Sequence, residues 1–150
     1  MLNDLRSIFS RNTFHARVIL LILYFEKRSL FKAPFKVLRK FICQALYHCE
    51  IHPDVLSLSA ITTLRLPHPF LIIIHRSCRI GNNSTVFQGV TIGVKENRTI
   101  EAAQIGNNFY IGCNSTVLGP INIVDDVTIG AHALVLSDVT KAGVIHGLHK

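Results

Sequence analysis

Long apolar runs are missing from this 150-residue chain, although 49% of its residues are hydrophobic. The longest in the N-terminal part is Val18–Phe25, bounded by Arg17 and by Glu26-Lys27-Arg28. That is far short of the roughly 20 residues a bilayer-spanning helix needs. It is also a poor secretion signal, because no small-residue cleavage site follows it. A CxxC pair is missing too. Cys43, Cys49, Cys78 and Cys113 stand apart, so reduced, partly buried thiols in a cytoplasmic protein are the expectation. Net charge is absent from residues 50–150, where basic and acidic residues cancel. The entire surplus of +7 lies in residues 1–49. Such a segment is drawn to phosphate, on a nucleotide, a lipid carrier or an anionic membrane face. Weak peripheral membrane contact through residues 1–49 is therefore an expectation, and nucleic acid is not an expected partner.

What is present is a repeat. Ile80, Val86, Ile92, Ile105, Ile111, Val117, Ile123, Ile129 and Val135 recur every six residues, broken only between Ile92 and Ile105. Gly follows several of them directly, as Gly81, Gly93, Gly106, Gly112 and Gly130. A small or apolar residue sits four places on, from Ser84 and Val90 to Ala133 and Val139. This hexapeptide pattern predicts a mainly β fold, a left-handed parallel β-helix, in which three hexapeptides make one triangular turn. The aliphatic residues should stack inward. The glycines should sit at corners where a Cβ is strained, and Asn82-Asn83 and Asn107-Asn108 suit the same corners. Counting back in sixes from Ile80 reaches Ile74 and His68. The thirteen-residue step from Ile92 to Ile105 predicts a loop drawn from Val94–Gln104.

Residues 1–49 read as a short α-helical segment and residues 50–150 as the β-helix domain. Asn12-Thr13 can cap a helix over about residues 14–32, and Pro34 suits the first turn of a second. That second helix sets Phe35, Leu38, Phe41, Ile42, Ala45, Leu46 and Cys49 on one predicted apolar stripe. Ile51–Val55 could open the first coil, whereas Leu56–Thr63 lacks the hexapeptide form.

His68 is the strongest single candidate for chemistry. It takes a stacking phase in Leu66-Pro67-His68-Pro69, and a neutral imidazole can accept a proton from an attacking hydroxyl near neutral pH. Ile51-His52-Pro53, Leu66-Pro67-His68-Pro69, Val90-Thr91-Ile92-Gly93 and Ile129-Gly130-Ala131 followed by Val135-Leu136 resemble the serine acetyltransferase family. With the Met1–Arg6 start, the layout is similar to its short relatives, the colanic-acid-type and capsule-type polysaccharide acetyltransferases. The resemblance implies an acetyl-CoA-dependent O-acetyltransferase with His68 as general base, oriented by Glu50, with Asp54 as the substitute. Acetyl-CoA would lie in a groove between neighbouring subunits of a homotrimer. Its wall would be Gly93, Gly112, Cys113, Gly130 and Ala131, with Lys141 or Arg98 meeting phosphate and an amide of the Thr91–Gly93 turn facing the oxyanion.

The chain departs from that family at two places. Serine acetyltransferases carry a second histidine in the loop, in an Arg-His-Pro context, where this chain has Asn97-Arg98-Thr99. That points to a saccharide acceptor in surface polysaccharide biosynthesis. The family's closing Ala-Gly-Val-Pro-Ala-Lys is replaced by Ala142–Gly147, which implies an altered donor site or a shortened chain. The alternatives are serine O-acetylation in cysteine biosynthesis, an inactive scaffold and a nucleotide-sugar N-acyltransferase. A γ-carbonic-anhydrase-like zinc site is disfavoured by the seven-residue spacing of His68 and His75, so no metal is expected.

Overall fold

The computed structural model describes residues 1–95 and 100–150. Three parallel sheets share the coil. The first face carries β1 (Glu50–Ile51), β2 (Ile73–Ile74), β5 (Thr91–Val94), β8 (Thr116–Gly119), β11 (Leu134–Val135) and β13 (Leu148–His149). The second carries β3 (Arg79–Ile80), β6 (Gln104–Ile105) and β9 (Asn122–Ile123). The third carries β4 (Thr85–Val86), β7 (Tyr110–Ile111), β10 (Val127–Ile129) and β12 (Gly143–Ile145). The chain visits first, second and third face in turn, which makes it a three-sided parallel β-helix.

The hexapeptide phase sets what stacks. Ile74 lies beside Ile92, Ile92 beside Val117, and Val117 beside Val135. All nine repeat aliphatics are buried, as are Ser84, Val90, Phe109, Ser115, Ile121, Val127, Ala133 and Val139, each four places after one of them. Ser84 and Ser115 occupy two of those inner positions because each hydroxyl donates to a coil carbonyl, Gly81 O at 3.0 Å and Gly130 O at 2.7 Å. A buried hydroxyl left unbonded would destabilise the coil.

The glycines have a different reason from the predicted one. Left-handed backbone falls three residues after the stacked residue, at Asn83 (φ 57°), Asn108 (φ 55°) and Asp126 (φ 60°). The glycine directly after the stacked residue is required by the next coil: a Cβ on Gly81 would lie 2.5 Å from Gly106 O, and one on Gly112 would lie 2.6 Å from Ala131 N. The inserted loop is also shorter than predicted. Val94 pairs with Gly119 and Gln104 with Asn122, so both belong to the coil.

The N-terminal part forms α1 (Leu2–Arg11), α2 (Phe14–Arg28) and α3 (Ala33–Leu38), with a π-helical stretch Arg39–Leu46 continuing α3. A further helix, α4 (Leu58–Thr63), occupies the first turn of the coil, where the hexapeptide form is missing. Ser57 caps it, its hydroxyl accepting from Ala60 N at 2.9 Å. Buried residues of α2, among them Ile19, Leu20 and Leu23, join one core with Leu56, Ile61 and Leu66 of the first turn. No helix among the described residues is long and apolar enough to cross a membrane.

Three helical expectations change. The helix from Phe14 ends at Arg28, not near residue 32. Neither Asn12 nor Thr13 caps it through a side chain. Asn12 is instead buried and ties the helices to the coil: its amide donates to Leu64 O at 2.9 Å and its oxygen accepts from Leu66 N at 3.0 Å. The predicted stripe is broken, because Leu38, Phe41 and Leu46 are exposed while Arg39 and Cys43 are buried. The wider π-helical turn, with Tyr47 N donating to Ile42 O, shifts the face. Arg39 is buried because its guanidinium meets the buried Glu26 carboxylate at 2.7 Å.

Candidate functional site

His68 lies at the edge where the third face passes to the first. Register does not give it the stacked position that counting in sixes assigns. Arg65 bridges Thr85, which sets Leu66 next to Val86. Leu66 is fully buried and His68 is exposed. This turn of the coil is longer than the later ones, and the excess bulges at Pro67–Leu71. Phe70 N donates to His68 O at 2.9 Å, and Leu71 takes φ 57° to bring the chain back into phase. The bulge presents the imidazole to solvent.

Aromatic rings flank it. The Phe87 ring is 6.5 Å from the His68 ring, and Tyr110 is 5.4 Å beyond Phe87. On the bulge itself, Phe70 lies 5.4 Å from Tyr47 and 5.8 Å from His15, whose Nδ1 is 2.9 Å from the Tyr47 hydroxyl. The hexapeptide pattern does not mark these rings. The available signal was Phe87 itself, which follows Val86 where many other repeats have glycine.

The same edge carries Gly112 and Cys113 after β7, and Gly130 and Ala131 after β10. Small residues there are forced by close coils, and a Cβ on Gly130 would meet His146 Nδ1 at 2.6 Å. Thr91 opens the adjoining strand β5 on the first face. The remaining donor-site candidates are elsewhere. Gly93 lies within β5 on the first face, paired with Leu118, and Lys141 lies between the Val139 bridge and β12, at the third edge. Arg98 lies outside the described residues.

Glu50 and His68 are not brought together. Glu50 pairs with Ile73 in the first face, and among the described residues no hydrogen bond or ion pair joins it to His68. Glu50 instead lines a cavity of about 270 Å³ with Arg39, His52, His75 and Arg76. His52 and His75 are neighbours in register there, since Ile51 pairs with Ile74. Each Nδ1 accepts from a backbone N–H, of Asp54 at 3.2 Å and of Ser77 at 3.3 Å, which leaves Nε2 to carry the proton of the neutral ring. Burial holds His52 below the usual imidazole range, with Asp54 pulling the other way. Asp54 contacts this ring at 3.3 Å, not His68.

Three of the four cysteines offer no ready nucleophile. Burial pushes the thiols of Cys43 up to about 11 and of Cys49 and Cys78 to about 12. A protonated thiol is a weak nucleophile. Cys113 is half-buried and free.

Hexapeptides wound into three parallel faces define the class: a hexapeptide-repeat β-helix protein. No family model matches the chain. In sequence it is 36% identical over 100 residues to a serine acetyltransferase of Staphylococcus xylosus, an alignment covering 66% of this chain and 45% of that protein. The chain thus spans about half the length of the curated relatives it matches. Soybean serine acetyltransferase superposes with a TM-score of 0.75 at 21% identity, over 96% of this chain and 63% of that one. A serine acetyltransferase in complex with CoA superposes with a TM-score of 0.68 at 23% identity, over 89% and 54%. In sequence and in fold the chain is thus similar to serine acetyltransferases.

Proposed function

We propose that the protein is an acetyl-CoA-dependent O-acetyltransferase, its coil left-handed and assembled as a homotrimer, with His68 as general base. The observation that carries this is the exposed imidazole at the head of an edge where small residues, Gly112-Cys113 and Gly130-Ala131, directly follow the strands of two later turns, on a coil similar to those of serine acetyltransferases. An extended thioester arm lying along that edge meets backbone rather than side chains. His68 takes the acceptor hydroxyl proton as the oxygen attacks the thioester carbonyl. The carbon–sulfur bond then breaks and the thiol leaves with the proton. A backbone amide of the Thr91–Gly93 strand is suited to the oxyanion. Attack is direct, without an acyl-enzyme, and Cys113 serves as part of the donor wall. Glu50 has no bond that would orient His68, so the reading rests on His68 alone.

The relatives' names favour L-serine as acceptor, and that reading comes first. A saccharide acceptor is supported by two observations. The loop reads Asn97-Arg98-Thr99 without histidine, and the Phe87 ring beside His68, with Tyr110 next to Phe87, suits the C–H-rich face of a sugar ring. Weak attachment of residues 1–49 to an anionic membrane face belongs to the same reading. A thiol-release assay with acetyl-CoA against L-serine, nucleotide sugars and lipid-linked oligosaccharides tests it. Release only with L-serine removes the saccharide reading, release only with a sugar removes the serine reading, and no CoA binding at all leaves an inactive scaffold.

A further inference from the structure

Several large apolar side chains of the helical part are exposed together. Leu30 is 95% exposed and Phe31 82%, on the segment between α2 and α3. Val37 is 67% and Phe41 65% exposed, one helical turn apart. Ile42 and Cys43 on the same stretch face the core instead, and Phe35 stacks on Phe25. Burying Arg39 against Glu26 turns this side of the helix outward. Lys32, Lys36 and Lys40 are exposed among the same residues, and none of their ammonium groups has a hydrogen-bond or ion-pair partner among the described residues. No acidic residue occurs from Lys27 to Cys49.

We infer that Leu30, Phe31, Val37 and Phe41, with Lys32, Lys36 and Lys40, form the surface by which the protein docks on an anionic lipid bilayer. This narrows the attachment proposed above for residues 1–49, and rests on it, to one helix face and the segment before it. An exposed apolar stripe edged by lysines is the pattern of a helix lying in the headgroup boundary, its rings among acyl chains and its ammonium groups among phosphates. A bilayer supplies both layers at once. A second copy of the chain fits worse, because a two-fold contact through this face sets the three lysines of each copy against those of the other. Attachment through four side chains and three charges is reversible and weakens with salt.

The test is sedimentation of the full chain with vesicles of phosphatidylglycerol and phosphatidylcholine, against phosphatidylcholine alone, at low and high salt. The expected result is pelleting with the anionic vesicles only, released by salt. Phe31→Ser with Phe41→Ser, and separately Lys32→Gln with Lys36→Gln and Lys40→Gln, should each lower partitioning roughly tenfold or more. Leu148→Ser, exposed on the first face, should leave it unchanged. Circular dichroism checks that the variants fold, as substitutions at exposed positions should allow. No pelleting, equal pelleting with neutral vesicles, or pelleting indifferent to the patch variants overturns the proposal. So does an oligomer that Phe31→Ser with Phe41→Ser dissociates in a protein that ignores vesicles, since the face is then a protein contact. Thiol release with soluble acceptors is read in parallel. Its absence alongside intact vesicle binding defeats the transferase reading only.

Discussion

The middle turns of the coil and the helical cap with the first turn follow different rules. From Ile73 onward register repeats, and each residue's side is set by its place in a hexapeptide. Thr91, Thr116 and Leu134 follow one another outward on the first face, as Ile92, Val117 and Val135 do inward. In the cap no period survives. Arg39 is inside and Phe41 outside, because an ion pair and a π-helical turn, not spacing, orient the helix. His68 lies between the two regimes, in a bulge the repeat does not contain. Stacked identical rungs propagate one local solution, whereas a docked helix answers to a single partner.

The largest expected effect tests whether that bulge is functional. His68→Ala should lower acetyl transfer about 10²–10⁴-fold, the usual worth of a general base. Cys113→Ala and Glu50→Gln should keep most activity, since neither contacts the imidazole. Thiol-release rates that fall with Cys113→Ala and not with His68→Ala would reverse the mechanism.

Stability comes next, and sharpens the contrast. Glu26→Ala leaves Arg39 buried and unpaired, which should cost about 3–5 kcal/mol. Replacing the pair together, Glu26→Leu with Arg39→Met, should recover most of it, because the cap needs a filled site rather than a charge. In the coil, Ile111→Ala should cost about 2–5 kcal/mol with no such rescue by a distant partner. Urea midpoints measure all three; a Glu26→Ala protein as stable as wild type would show that the pair does not organise the cap.

A smaller effect probes the tie between the regions. Asn12→Ala strands the buried Leu66 N–H and Leu64 C=O, and should cost about 1–3 kcal/mol. Hydrogen exchange should show α1 and α2 opening before the middle turns of the coil. Uniform exchange across both regions would remove the distinction.

The smallest effect depends on pH. The folded His52 titrates below its ordinary value of 6.5, so the unfolded chain binds the proton first. Stability is then unaffected above that value and declines as pH falls from it through the lowered folded value. The ring is partly exposed and solvent-screened, so the decline is about a few tenths of a kcal/mol. His52→Asn should flatten it in urea titrations across that range.

The fold was legible where chemistry repeats. Branched aliphatics at period six, glycines after them and asparagines at corners all point to one coil, and residues from Ile73 onward follow that pattern. The loop was legible as a break in phase, though its ends were not: Val94 and Gln104 look like loop residues but complete strands. The candidate site was legible as a histidine in a proline-flanked segment. Its setting was not, because Phe87 meets His68 from the next turn, and Tyr47 and His15 meet Phe70 of the bulge from the helical part. The Glu50 pairing rested on resemblance, and register carries Glu50 into a different cavity.

By itself the sequence determined the coil, its inward residues and the uneven charge, since these depend on local spacing and composition alone. Only the tertiary structure decided that Leu66 rather than His68 stacks, that glycine answers to the neighbouring coil's backbone, that Asn12 ties helices to coil, and that Phe31 and Phe41 face solvent. Each of these is a contact between segments far apart in the chain. Such contacts follow from which surfaces fit together, and no short-range period encodes them.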